Sequence, residues 1–156
     1  MSGSITMARL PELAGCVLAP SEWIAMSQQR IDKFADCTDD HQFIHVDEER
    51  ARRESPYGER IAHGFLSLSL LAAHRPADLP TVSDLGLIIN YGLDKVRFLA
   101  PVRSGKRVRI LTTIVDVTAK GAGRMLLKSL KTMEIEGEDK PAYIAEQLSL
   151  LVAKST

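Results

Sequence analysis

GFLSLSLLAAH (Gly64–His74) is the stretch on which the fold of this chain turns. Phe65, Leu66, Leu68, Leu70 and Leu71, with Ser67 and Ser69 between them, partly alternate as a strand would. The tail Leu70-Leu71-Ala72-Ala73 favours a helix, and Arg75-Pro76 would end one. Small serines beside leucines suit a helix buried nearly all round, and that reading is taken here.

Downstream the pattern turns β-like. LGLIINYGL (Leu85–Leu93) and DKVRFLAPV (Asp94–Val102) come first, and a Ser104-Gly105 turn leads to RVRILTTIVDV (Arg107–Val117). Gly121 and Gly123 mark the next reversal before RMLLKSLKTMEIE (Arg124–Glu136), and residues 137–139 turn the chain into AYIAEQLSLLVA (Ala142–Ala153). Long β-rich segments joined by glycine turns predict an antiparallel meander. Its inner face must pack on the one apolar helix, so the expected class is α+β. Upstream, Ser27 can cap a helix carrying Ile31, Phe34 and Ala35 at i, i+3, i+4, running out near Cys37-Thr38. Asp47 can cap a second, Glu48–Glu54, with acids in its first turn and Arg52 and Arg53 in its last. Ser55-Pro56-Tyr57-Gly58 breaks that helix. Residues 1–20, with Pro11 and Pro20, read as a loose N-terminal arm holding one helical turn.

The chain's 156 residues fit a single domain, 1–156, able to bury a real core. Twenty basic residues balance twenty acidic ones, so bulk nucleic-acid or anionic-membrane binding has no support in the charge. Cys16 and Cys37 have neither metal-type nor redox-type spacing, which points to a reduced, cytoplasmic setting. Arg9, Pro11 and Glu12 stand where a signal peptide would need its apolar core. No uncharged apolar run approaches the ~20 residues that span a membrane.

The chemistry-bearing residues gather between Asp39 and Gly64. DDHQFIH (Asp39–His45) opens this stretch, IAHGF (Ile61–Phe65) closes it, and three of the chain's four histidines fall within it. Side chains five apart on a helix diverge by about 140°, and on a strand they face opposite sides. Asp40 and His45 can therefore converge only across irregular backbone. An acid-to-imidazole loop ahead of a helix start suits general acid–base work. By spacing alone such a pair is also the ordinary stuff of capping and solvated surface. His63 reads more simply as a histidine bonded to backbone near a turn, and His41 and His74 read as surface. HQFIH (His41–His45) puts two imidazoles at i, i+4, as in a zinc-protease helix, but Gln42 cannot act as a general base and no third ligand follows.

FADCTDDHQFIHVD (Phe34–Asp47) followed by AHGF (Ala62–Phe65) resembles the MaoC-like, or (R)-specific enoyl-CoA hydratase, family. Its nodulation protein N-like branch of 3-hydroxyacyl-thioester dehydratases is the nearest in pattern. The likeness runs from Ser21 to Ala153 and includes INYGLDKVRFLAPV (Ile89–Val102) and KPAYIAE (Lys140–Glu146). It implies a hotdog fold, a long helix wrapped by an antiparallel sheet, in a homodimer. It places the catalytic aspartate on Asp40, the histidine on His45 and the oxyanion-holding backbone N–H on Gly64. Gln42, His63 and Asn90 are the substrate-binding candidates. Gln42 stands where the family often has asparagine, Asp39 where it has glycine, and Phe43 where it has proline. The implied reaction is syn hydration of a trans-2-enoyl thioester to the (3R)-hydroxyacyl product, or its reverse, with acyl-CoA or an acyl-carrier thioester as substrate. It needs no metal or redox cofactor, because the thioester is the electron sink. A hotdog thioesterase is the second enzyme reading, yet Gly64–His74 lacks the carboxylate such enzymes often carry on or beside the helix. A non-catalytic thioester-binding subunit is the third, and the joint presence of Asp40, His45 and Gly64 speaks against it. Lys106, Arg107 and Arg109 are candidate phosphate contacts, though a solvated basic strand end is the commoner meaning of such a cluster.

Overall fold

The computed structural model describes residues 3–73 and 76–154; the expectations for His74 as surface and Arg75 as helix stop lie outside them. In chain order the elements are β1 (Ser4–Ile5), a 3-10 helix (Met7–Leu13), β2 (Val17–Leu18), β3 (Ile24–Ala25), α1 (Gln28–Thr38), α2 (Phe43–Val46) and α3 (Glu48–Glu54). The central helix α4 (Gly64–Ala73), β4 (Thr81–Val82), β5 (Leu85–Phe98), β6 (Arg107–Ala119), β7 (Arg124–Ile135) and β8 (Tyr143–Ala153) follow.

Alternation makes the strands. In β6 to β8 every second side chain turns inward: Val108, Ile110 and Ile114 on β6, Met133 and Ile135 on β7, Tyr143, Ala145 and Leu151 on β8. These three strands form the expected antiparallel meander. β5 departs from it. It is one continuous strand with irregularities at Leu85/Leu87, Asn90/Gly92 and Leu93/Lys95, and it pairs with β8 rather than β6. The sheet order is β2-β6-β7-β8-β5, with β3 also on β6. Reversals at Gly105 (φ 85°) and Gly137 (φ 75°) need the left-handed conformation that glycine adopts without a Cβ penalty.

α4 lies against the inner face, burying Leu66, Ser67, Leu68, Leu70 and Leu71. Fully burying each leucine contributes about 1.5–3 kcal/mol. The helix is not buried all round, because Phe65, Ser69 and Ala72 form an exposed stripe at i, i+4, i+7. This is the hotdog arrangement, α+β. Ser27 caps α1 by accepting from the Arg30 N–H at 3.3 Å, and Asp47 caps α3 by accepting from the Arg50 N–H at 2.9 Å.

The N-terminal segment corrects one expectation. It is not a loose arm: Met7, Leu10 and Leu13 of the 3-10 helix are buried with Leu18, Ile114, Val117 and Leu151 in a second apolar cluster. Pro11 lies inside that helix rather than bounding it. The first cluster, around Leu66, Ile110, Met133 and Tyr143, sits at the other end of the sheet. Between the two, β6, β7 and β8 turn Thr112, Ser129, Lys131, Gln147 and Ser149 inward, and all five are buried. No helix among the described residues is long and apolar enough to cross a membrane.

Candidate active site

α1 stops where Asp39 enters the left-handed region at φ 59°, the conformation for which glycine is the default residue. The Asp39 side chain is exposed. The chain then runs irregularly through residues 40–42 before α2, so Asp40 and His45 can face the same place. The Gln42 carbonyl accepts from the His45 N–H at 2.9 Å, closing this turn. Gln28 of α1 braces it from outside, its Nε2 donating to the His45 carbonyl at 2.7 Å and to Asp32 Oδ1 at 2.7 Å.

His45 is buried, and its Nδ1–H donates to the Ile61 carbonyl at 2.7 Å. That bond assigns the tautomer and leaves the lone pair on Nε2. The ring of His63 stacks on His45, centroids 3.7 Å apart at 26°. Phe34 of α1 packs on His63 at 5.0 Å. His63 Nε2–H donates to the Asp40 carbonyl at 2.9 Å and stands 4.0 Å from Asp40 Oδ2. One residue thus holds both members of the pair, the acid through its backbone and the base through its ring. Burial is the main force lowering the His45 pKa below its ordinary 6.5; like charge on His63 adds to it, while the Ile61 bond and Asp40 oppose it.

His45 lines a cavity of about 370 Å3 together with Gly64, Ser67, Tyr57, Phe98 and Ala100. Gly64 opens α4, and its N–H is one of the donors a helix leaves without an intrahelical acceptor. The Phe98 ring closes on it: a Cβ at Gly64 would meet Phe98 Cε1 at 3.1 Å. Asp40 does not line this cavity; its carboxylate is 53% exposed and lies within 4.8 Å of a His45 ring nitrogen.

Asp40, His45, His63 and Gly64 therefore come together as one site. Gln42 and Asn90 do not join them. The Gln42 side chain is exposed at the start of α2, and Asn90 of β5 lines an adjoining cavity, accepting from Gln147 Nε2 at 3.4 Å. His63 is 2% exposed and sits behind the pair rather than on the cavity wall. His41 lies at the surface, bonded to Asp36 at 2.9 Å, and is not on a helix with His45. The three basic candidates are ion-paired: Lys106 with Glu138 at 3.7 Å, Arg107 with Glu136, and Arg109 with Glu134 at 2.6 Å. Ser67, Tyr57 and Phe98 of the cavity were missed as site residues; Ser67 lies in the apolar helix stretch, Tyr57 in the break at 55–58 and Phe98 in the INYGLDKVRFLAPV stretch that carries the resemblance.

Donor atoms of Asp40, His45 and His63 lie within 4.8 Å of one another, close enough to suggest a cation site. The geometry opposes one. A backbone carbonyl already holds one nitrogen of each ring, and the two remaining lone pairs lie in ring planes stacked 3.7 Å apart and only 26° from parallel. A carboxylate beside a neutral imidazole with a free lone pair suits proton transfer.

Residues 12–135 match the family described as MaoC like domain. The chain is 44% identical over 147 residues to nodulation protein N of Rhizobium leguminosarum bv. viciae, covering 94% of this chain and 91% of that one. It is likewise 44% identical over 148 residues to 3-hydroxyacyl-thioester dehydratase Z of Mycobacterium tuberculosis, covering 95% and 97%. Among solved structures, the MaoC-like dehydratase from Rhodospirillum rubrum superposes with a TM-score of 0.74 at 20% identity, covering 97% of this chain and 99% of its own.

Proposed function

The chain belongs to the MaoC-like dehydratase domain family, and on that premise we propose that it is a hydro-lyase reversibly hydrating trans-2-enoyl thioesters to (3R)-hydroxyacyl thioesters. The observation that carries this reading is that two groups line one cavity: the His45 imidazole, whose Nδ1–H is held by Ile61 so that Nε2 keeps its lone pair, and the Gly64 amide, which has no acceptor among the described residues. In hydration, Asp40 and His45 hold a water and take one of its protons. The oxygen bonds to C3, the C2=C3 electrons move toward the thioester, and the oxyanion is held by the Gly64 N–H at the positive end of α4. The abstracted proton then returns to C2 from the same face, so the addition is syn and the pair is regenerated. The setting fits a reduced cytoplasm, with Cys16 and Cys37 free. A second copy of the chain is the proposed partner.

The direct test is hydration of crotonyl-CoA, followed as loss of enoyl absorbance. Asp40→Asn and His45→Gln keep shape and hydrogen bonding but remove the proton-accepting groups, and each is expected to lose roughly 10²–10⁴ in turnover. Because the two act on one water, the double variant should be scarcely slower than either single one. A fully active Asp40→Asn enzyme would overturn the mechanism.

A further inference from the structure

The buried polar band across the middle of the sheet takes no part in the chemistry just described. Lys131 on β7 is 6% exposed, although lysine is almost never fully buried unless paired. Its ammonium has three N–H donors, and one reaches Thr112 Oγ1 on β6 at 3.0 Å. No carboxylate among the described residues pairs with it. Ser129 and Ser149 hydroxyls are bonded to nothing among the described residues, and the Gln147 amide has only its long contact to Asn90. These groups share a cavity of about 150 Å3, roofed by Leu71 and Ala72 at the far end of α4.

Toward the active site it adjoins a middle groove, whose Phe65 ring meets Phe98 of the His45 cavity edge-on at 6.1 Å. This middle chamber of about 340 Å3 begins at Phe65, the neighbour of Gly64, and ends at Leu71, Ala72, Asn90 and Gln147, which also border the Lys131 cavity. From Gly64 to Ala72 the helix rises ~12 Å. An extended chain advances roughly 1.2 Å per bond, so about ten bonds separate the oxyanion position from the polar end. The middle chamber is an open groove: Leu68, Leu71 and Leu93 give it apolar walls, and its outer side runs along the exposed Phe65, Ser69 and Ala72.

We propose that the Lys131 cavity is the distal end of the acyl site and receives a carboxylate carried at the far end of a medium-length acyl thioester. The assignment rests on the hydratase reading above for the position of the thioester end. Lys131 supplies the charge, the two serines and Gln147 supply neutral donors, and the leucine-lined chamber accommodates the methylenes between. Burial pushes the Lys131 amine down to about 8, which leaves it mostly protonated at pH 7. Such a desolvated charge is destabilising in the empty protein and is offset when an anion pairs with it.

The test compares trans-2-decenedioyl-CoA with trans-2-decenoyl-CoA as hydration substrates, with crotonyl-CoA as the short reference for the wild-type enzyme. Wild type is expected to favour the dicarboxylic substrate in kcat/KM by roughly ten- to a hundredfold, the value of a hydrogen-bonded charge pair. Lys131→Met is expected to bring that ratio to one or below. Gln147→Leu is a second variant should Lys131→Met fold poorly, and it should reduce the ratio several-fold. If wild type hydrates crotonyl-CoA but shows no preference, the subsite is overturned and the hydratase reading stands. If it hydrates none of the three, the hydratase reading falls, and saturated decanedioyl-CoA and decanoyl-CoA are titrated calorimetrically against wild type and Lys131→Met. Equal affinities there mean a water-filled pocket only and overturn the proposal; tighter binding of the diacid, lost in Lys131→Met, supports it.

Discussion

Protonating His45 at Nε2 would place a full charge inside the stack with His63, and this decides which pH the base can work at. Burial first, and the neighbouring imidazole second, hold its pKa below 6.5. The acid limb of kcat/KM should therefore turn over below 6.5, and a profile turning over above 7 would remove His45 as the base. The same sign governs stability. Above the unfolded value of about 6.5 both states are neutral and His45 contributes nothing; as pH falls below it, the unfolded chain binds the proton first and stability drops until the folded pKa is passed. Gly64 carries the complementary role. In Gly64→Ala the added methyl presses on Phe98, whose half-exposed ring can move aside, so the fold should persist. Crowding the amide should lose on the order of 10²–10³ in kcat. Unchanged turnover in Gly64→Ala would remove that amide from the mechanism. Spacing had suggested this pair, yet the sequence could not show that His63 carries both members, because that arrangement needs backbone carbonyls 16 and 23 residues away.

Among the elements, β7 shows what alternation tells and what it hides. Its inward residues read Ser129, Lys131, Met133, Ile135, so period two located the strand but gave no reason to expect a lysine inside. The reason lies across the sheet, where register brings Thr112 of β6 and Gln147 and Ser149 of β8 to the same inner face. A testable cost follows. Folding depresses the Lys131 pKa from 10.5 to about 8, so below about 8 the folded state bears the whole penalty, which fades as pH rises toward 10.5. Lys131→Met should raise the melting temperature at pH 7 by on the order of 5 °C. That advantage should shrink between pH 8 and 10.5, and an advantage that does not vary with pH would mean packing, not charge, is its source. α4 was legible from its serines and leucines, and α1 and α3 from their caps. β5 was divided at Leu93-Asp94 because its irregularities break the alternation, and the N-terminal segment, read as a loose arm with one helical turn, instead packs its 3-10 helix into the second apolar cluster. In both places long-range packing overrode the local pattern.

At the scale of the whole molecule, β5 is a fourteen-residue edge strand with apolar side chains in water on both faces. Leu87, Ile88, Ile89, Tyr91 and Leu93 are all exposed, and Phe65 of α4 and Phe98 extend the surface to the rim of the Gly64 cavity. Such a contiguous patch is larger than the scattered apolar residues of a monomer's surface, and a bare edge strand invites strand pairing. A two-fold symmetric pair of chains meeting along β5 would pair both edges and bury both patches at once, since an isologous contact repeats the same surface on each side. It would also enclose the half-exposed flank of each site, where Phe65 and Phe98 stand beside the oxyanion amide. Sedimentation at micromolar concentration is therefore expected to show a stable dimer, and Ile89→Lys combined with Tyr91→Lys should shift it toward monomer. Activity should fall with the dimer fraction as the double variant is diluted. A wild-type chain that sediments as a monomer and still turns over crotonyl-CoA at full rate would show that no second copy covers β5 and that the site does not need one.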